Sequence, residues 1–508
     1  MAYLMGMDIG TSSTRAIIID EAGYLLASAT SDYPMVTPQP GWAEQNPEDW
    51  WKASIKVIKE VIGKAKISPA DIACIGPSGQ MHGSVFLDRE GQVLRPALLW
   101  CDQRTQKQCD EIYSIFGYEG FIKLSYNKAL TGFTAPKILW LKENEPENYK
   151  KIYRILLPKD YIRFKLSGTY ATEVSDASGT ILMDIAKRTW SEEILSGLNI
   201  NKGLLPDVFE SQVVSAKVSK NAAELTGLIE GTPIVGGAGD QAGGAVGSGI
   251  VVPGLISDYL GTSGVVFSYS DKPVYDSQGR LHSFCHAVDG KWHLMGVTLS
   301  AAGSLKWYDD CFGPSDAVRK KYQDEKSYKL LDFQAENVSA GSDGLLFLPY
   351  LSGERTPYAD PNARGVFFGI SYIHGQDHFV RAILEGVAFS QFDCLSLMNE
   401  AGIKTDKVIL FGGGAKSRIW RQIIADIFST KIVTLNVEEG PSYGGAILAG
   451  VGCGVFSSVV EAAKKLIKEA DEVLPVKENS EKYKKLYEVY SMLYKDLKKD
   501  FKKLNNII

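Results

Sequence analysis

The sequence has no C-x-x-C pair. Its seven cysteines, at 74, 101, 109, 285, 311, 394 and 453, are odd in number and scattered, which reads as reduced thiols rather than a disulfide frame or a zinc site. No apolar run approaches the ~20 residues that a membrane span needs. A net charge of −5 is too modest to point to nucleic acid or an anionic membrane as partner. The Walker pattern G-x-x-x-x-G-K-[ST] is missing: "GGGAKS" at 412–417 has Ala415 before its lysine, so a P-loop is excluded. The amino terminus, "MAYLMGMDIG", has no basic n-region before its strand pattern, so a cytoplasmic protein without a signal peptide is expected. Histidine is scarce as well, at six residues.

What is present is a long soluble-type chain. Its 508 residues exceed one ordinary core, and two large domains are expected, 1–247 and 248–508. Strand and helix signals alternate in both halves, an α/β pattern. Strands are expected over Tyr3–Asp8, Ala16–Asp20, Ile72–Ile75 and Ser84–Leu87. Asn46 can cap a helix whose first turn holds Pro47, Glu48 and Asp49. Ten glycines fall between Gly236 and Gly264, and a new strand-rich half follows. Its "LISDYLGTSGVVFSYS" repeats the plan of "LMGMDIGTSSTRAIIID": apolar strand, Gly-Thr-Ser, apolar strand. The likeness suggests a duplicated hairpin unit, one per domain. Near the carboxyl end Tyr483, Leu486, Tyr487, Tyr490, Leu493, Tyr494, Leu497 and Phe501 form one helical stripe. A terminal helix packed on its own domain is expected there, with lysines on its solvated face.

Several turns carry chemistry. "DIGTSSTR" joins two strands; its amides, with the hydroxyls of Thr11, Ser12 and Ser13 and the charge of Arg15, suit phosphate oxygens. Asp8, at the strand end, suits Mg²⁺ held through water. "LGTSG" (260–264) with Gly261 and Thr262, and "FGGGA" with Gly413, Gly414 and Ala415, are further turns after apolar strands. Together they suggest a nucleotide gripped between two domains. "PIVGGAGDQAGGAVG" (233–247) has two readings. Gly237, Gly239 and Ala242, with Asp258 further on, formally satisfy a dinucleotide fingerprint, and hence a nicotinamide oxidoreductase. Alternatively Asp240, flanked by glycine, takes a proton from a substrate hydroxyl during phosphoryl transfer. An ATPase module of the actin or Hsp70 kind would share the phosphate turns without an acceptor motif. In "GPSGQMHGSVF" (76–86) glycines clear the backbone around Met81 and His82. An imidazole there can donate and accept hydrogen bonds, and a thioether can pack on carbon.

These residues resemble one family over essentially the whole chain, the FGGY carbohydrate kinases. "GFTAPKILWLKEN" (132–144) and "GVFFGISYIHGQDHFVRAILE" (365–385) fit its two signatures, the second with its spacing to His378, Ala382 and Glu385. The resemblance implies two actin-like, ribonuclease H-like domains with the active site in the cleft between them, closing over ATP, Mg²⁺ and a sugar. It makes Asp240 the catalytic base and Asp8 the carboxylate near the metal. Thr11, Ser12, Ser13 and Arg15 become the first phosphate loop, Gly261 and Thr262 the second, and Gly413, Gly414 and Ala415 part of the adenosine site. Met81, His82, Asp240 and Gln241 would face the acceptor. The Met-His pair resembles members acting on xylulose, which implies phosphorylation of D-xylulose at its 5-hydroxyl and a homodimer. Gln241 instead resembles the glycerol kinases, so ribulose, gluconate and polyols remain as acceptors.

Overall fold

Both Gly-Thr-Ser segments close antiparallel hairpins. The computed structural model describes residues 2–313, 328–437 and 440–507. The chain divides into two units: Met1–Val252, Tyr269–His293 and Glu439–Lys468 form one, and Pro253–Ser268, Leu294–Glu438 and Glu469–Ile508 the other. Each holds a mixed sheet with helices packed on it, the α/β, actin-like plan.

In the first unit β1 (Tyr3–Ile9) pairs antiparallel with β2 (Ser13–Ile19), and β2 with β3 (Leu25–Asp32). On its other side β1 runs parallel to β4 (Ile72–Gly79). The sheet continues through β5 (Val214–Lys217) and β6 (Pro233–Val235) in the order β5-β6-β4-β1-β2-β3, with β7 (Ala238–Gly239) also on β4. Strand β2 starts earlier than the expected Ala16, because Thr14 and Arg15 already pair with Ile9 and Asp8. Strand β4 runs four residues past the expected Ile75, through a Gly-Pro-Ser-Gly run that propensity disfavours in a central strand.

A helix that lies far away in sequence explains that run. Gly440–Gly452 packs directly on β1 and β4. A Cβ at Gly6 would lie 1.8 Å from the Ser442 carbonyl oxygen, and one at Gly76 1.9 Å from that of Gly445. Gly6 and Gly76 are register partners, so together they form a flat seat for the helix. The same helix meets Asp240–Gly247, where a Cβ at Gly444 would lie 1.9 Å from the Gly243 oxygen. Backbone contact of this kind admits no side chain. The glycine run at 243–247 is therefore a helix–helix packing device, and packing overrides its poor helix propensity. The helix Pro47–Ala65 forms as expected, with the Asn46 side chain accepting from the Glu48 amide.

The second unit repeats the central arrangement. Strand β8 (Gly254–Leu260) is antiparallel to β9 (Gly264–Ser270). With β10 (Trp292–Thr298), β11 (Thr405–Phe411), β12 (Lys431–Leu435) and β13 (Glu469–Val473) the order is β10-β9-β8-β11-β12-β13. Strand β8 is parallel to β11, as β1 is to β4. The long helix Gln376–Glu400 carries the second signature, and its Glu385 has a structural task. This buried carboxylate pairs with Arg381 at 2.7 Å and accepts from Gly341 N, Ser342 Oγ and the Tyr483 hydroxyl. His378 accepts from the Gly375 amide at the helix start. The terminal helix Lys477–Asn505 buries Tyr483, Tyr490, Leu493, Tyr494 and Phe501 in its own unit, as expected. Among the described residues no helix is long and apolar enough to cross a membrane.

The dinucleotide reading fails on topology. Strand β7 lies in the first sheet and β8, the next strand, in the second. The fingerprint needs strand, helix and strand in one parallel sheet.

Candidate active site

In the first unit the carboxyl ends of β1, β4 and β7 lie side by side, and the polar residues follow from that register. Asp8 is opposite Arg15 on β2 and Ser78 on β4. Burial pushes the Asp8 carboxyl up to about 6, with Arg15 and Ser78 pulling against the rise. Gly239 ends β7, and Asp240 is the first residue of the helix that follows, its Oδ1 accepting from Gln241 N at 2.7 Å. Burial pushes Asp240 up to about 7, and the Asp8 charge adds to the rise. Two carboxylates that repel one another in a poorly solvated place hold protons into the neutral range. Gln241 is partly buried on the same first turn.

The turn between β1 and β2 is tied down from behind. The Gly10 carbonyl accepts from the Tyr33 hydroxyl at 2.6 Å and from Gln80 Nε2 at 3.3 Å. The Thr11 carbonyl accepts from Gln45 Nε2 at 2.6 Å, and its hydroxyl from Trp100 Nε1 at 2.9 Å. With the carbonyls so engaged, Ser12 is the exposed tip. Tyr33 and Gln45 carried no sequence signal, since each is a lone residue in an unremarkable segment.

Beyond β4 the chain turns through Gln80, Met81 and His82. Gly239 and Gly179 make room for Met81: a Cβ at Gly239 would lie 2.8 Å from Met81 Cγ, and one at Gly179 3.1 Å from its Cε. His82 is only partly buried and has φ of +66°. Its Nδ1 is 2.8 Å from the Gly179 carbonyl, and its ring is 4.6 Å from that of Phe133. The turn thus joins Asp8 and Asp240 in one unit: Gly239 touches Met81, and Asp240 senses Asp8.

A buried ion network, unforeseen in the sequence, holds the strand that presents Asp240. Lys159 pairs with Asp160 at 2.8 Å and Asp176 at 3.0 Å, with Glu173 at 3.4 Å, and every one of these side chains is fully buried. Arg163 joins Asp160 and donates to the Gly236 carbonyl. Glu173 accepts from Ser175 and Ser211. The Ser175 hydroxyl then accepts from Gly239 N at 3.1 Å, and the Ser211 carbonyl from Gly237 N at 2.8 Å. The pairing is not complete: Asp160 Oδ2, Arg163 Nε and Asp176 Oδ1 have no hydrogen-bond partner among the described residues, and burial raises the Asp176 carboxyl well above its usual range.

In the second unit the Gly261–Thr262 turn is tied by main chain. The Gly261 carbonyl accepts from Ala302 N and the Thr262 carbonyl from Ala301 N, both at 2.8 Å, where the helix Ala302–Phe312 begins. Thr262 is exposed. After β11, Gly412 has φ of +92° and Gly413 has open space where a Cβ would stand. Gly414 and Ala415 are buried, Gly414 against Leu260 and Trp420.

Asp8 Oδ1 is buried with no hydrogen-bond partner among the described residues. Adjacent carboxylates supply the hard oxygen donors that Mg²⁺ takes, so the residues fit that ion.

Comparison with known proteins bears on the family. The profile of the FGGY family of carbohydrate kinases, N-terminal domain, matches residues 3–247, and that of its C-terminal domain residues 259–453. A xylulose kinase of Bacillus subtilis is 40% identical over 97% of this chain and 97% of its own length. The crystal structure of a xylulose kinase from Brucella ovis, 34% identical, superposes with a TM-score of 0.89 over 97% of this chain and 99% of that one. A gluconate kinase structure from Lactobacillus acidophilus, 26% identical, has a TM-score of 0.92 over 99% of each. The chain belongs to the FGGY family of carbohydrate kinases.

Proposed function

We propose that this chain transfers the γ-phosphoryl group of ATP to the 5-hydroxyl of D-xylulose, giving D-xylulose 5-phosphate and ADP. The observation that carries the reading is the placement of Asp240: a carboxylate at a helix start, next to the Gly239 that packs on Met81 and close enough to Asp8 to sense its charge. A carboxylate so placed can accept the proton of an alcohol. The hydroxyl oxygen bonds to the γ-phosphorus, and the bond to the β,γ-bridging oxygen breaks. ADP keeps that electron pair, and the hydroxyl proton passes to the Asp240 carboxylate. Arg15 and the Thr11–Ser13 turn stabilise charge on the transferring group, with Gly261 and Thr262 as the second phosphate turn. Gly413 meets the adenosine side, with Gly414 and Ala415 shaping its backbone from behind. Asp8, with Asp240 beside it, would hold Mg²⁺, which when bound neutralises phosphate charge. His82 and Gln241 bind sugar hydroxyls, and Met81 covers the carbon skeleton. Assembly as a homodimer and a place in the cytoplasm go with this reading.

The likeness to a gluconate kinase favours a second acceptor class, sugar acids and other polyols. Sugar-dependent ADP release, measured over ketoses, polyols and gluconate, separates the two. Asp240→Ala is expected to lose turnover by on the order of 10³-fold while calorimetry still detects ATP binding. Near-normal turnover in that variant would remove Asp240 from the mechanism.

A further inference from the structure

His82 has φ of +66°, in the left-handed region that few residues other than glycine occupy, His being enriched there with Asn and Asp. Something must hold it. Its carbonyl oxygen accepts two hydrogen bonds from one helix start, from Thr134 Oγ1 at 3.1 Å and Lys137 Nζ at 2.9 Å. Lys137 Nζ also donates to the Gly132 carbonyl at 2.7 Å. Gly132 is itself pinned, since a Cβ there would lie 2.2 Å from the Trp100 carbonyl oxygen. The lysine thus bolts the 80–82 turn to the segment that leads into Thr134–Asn144.

Lys137 is fully buried, and its hydrogen-bond partners are carbonyls rather than a carboxylate. Burial pulls its ammonium down to about 7, against the nearby charge of Asp102, with Arg104 adding to the fall. An apolar side chain would fill this space at lower cost, so packing alone does not account for a lysine here. The ring of His82 is fixed independently. The Gly179 carbonyl can only accept, so Nδ1 carries a proton and the ring plane is set by that bond.

We propose that Lys137, assisted by Thr134, is a positioning residue of the acceptor site. It acts through the His82 carbonyl to hold the imidazole where a polyhydroxylated substrate meets it. The proposal rests on the reading of His82 as a sugar ligand. The test is a double-mutant cycle in the full-length protein: Lys137→Met, His82→Ala and both together, with KM measured for D-xylulose and ATP. Lys137→Met is expected to raise the sugar KM about tenfold and to move the ATP KM less than about twofold. In the His82→Ala background the same change is expected to add less than about twofold, because the residue it acts through is gone. Effects that multiply, or an unchanged sugar KM in Lys137→Met, would overturn the positioning role while leaving the site intact. An unchanged sugar KM in His82→Ala would instead remove the reading of His82 and the proposal with it. If Lys137→Met does not fold by circular dichroism, Thr134→Val removes the other donor to the same oxygen. It is expected to raise the sugar KM about threefold, with the same loss of effect in His82→Ala.

Discussion

The hairpin β1–β2 and the hairpin β8–β9 have one backbone plan and two different chemistries. Each central strand is antiparallel to the next strand and parallel to a later one, β4 in the first unit and β11 in the second. Each turn reads Gly-Thr-Ser. Two residues before the glycine, the first hairpin has Asp8, facing Arg15, and the second has Tyr259, more than a third exposed. The turns are also anchored differently. Side chains of Tyr33, Gln45 and Gln80 hold the first, and amides at a helix start hold the second. The shared plan supplies a phosphate-sized turn, and the residue at the strand end decides whether a charge stands beside it. In the proposed reaction the first unit provides the reacting groups and the second a grip on the nucleotide.

The comparison breaks most sharply at Asp8. Asp8→Asn keeps the shape of the carboxylate and removes its charge, so turnover is expected to fall on the order of 10³-fold. Asp258→Asn, one strand position away from Tyr259 in the other hairpin, is expected to stay within about twofold of the parent. Equal losses in steady-state assays of ADP release would mean that the two hairpins share the chemistry.

The next largest effect is on folding. Gly444→Ala puts a methyl group 1.9 Å from the Gly243 oxygen, between two helices of the first unit. Overpacking costs roughly 1–3 kcal/mol, and more where backbone faces backbone. A clear fall in the thermal midpoint is expected, with sugar and ATP KM values near normal in the protein that remains folded. An unchanged midpoint would mean that the helices can part, and that the glycines are not there for packing.

That glycine contact shows where the sequence was legible. Strand and turn order, the Asn46 cap, the terminal aromatic stripe and the two hairpins all depend on neighbours within a few residues, and the pattern carried them. The positions of Asp8, Asp240, Met81 and His82 were legible for the same reason, as strand ends next to glycine. The packing of Gly440–Gly452 against Gly6, Gly76 and Gly243 is between segments hundreds of residues apart, and no local pattern announces it. Lys137 sat in plain view within a signature segment, yet one of its two acceptors, the His82 carbonyl, lies 55 residues earlier. Burial of a lysine on carbonyls is a tertiary fact with no local spacing to announce it.

The last effect concerns Asp258 itself and is read in stability against pH. Its carboxyl is fully buried on β8, and neither oxygen has a hydrogen-bond partner among the described residues. Burial alone pushes it up to about 8 from 3.8. Between those values the folded protein keeps a proton that the unfolded chain has released, so νU − νN is negative and stability falls as pH rises. The contribution is fully present below about 4 and is lost by the time pH passes 8. Asp258→Asn has no proton to release, so its unfolding free energy is expected to match the parent near pH 4 and to exceed it near pH 8. Denaturant melts at the two pH values measure this difference directly. Parallel pH profiles for parent and variant would place a compensating charge beside Asp258. The second hairpin would then resemble the first in having a paired carboxylate, and the contrast between them would have to move from charge to exposure.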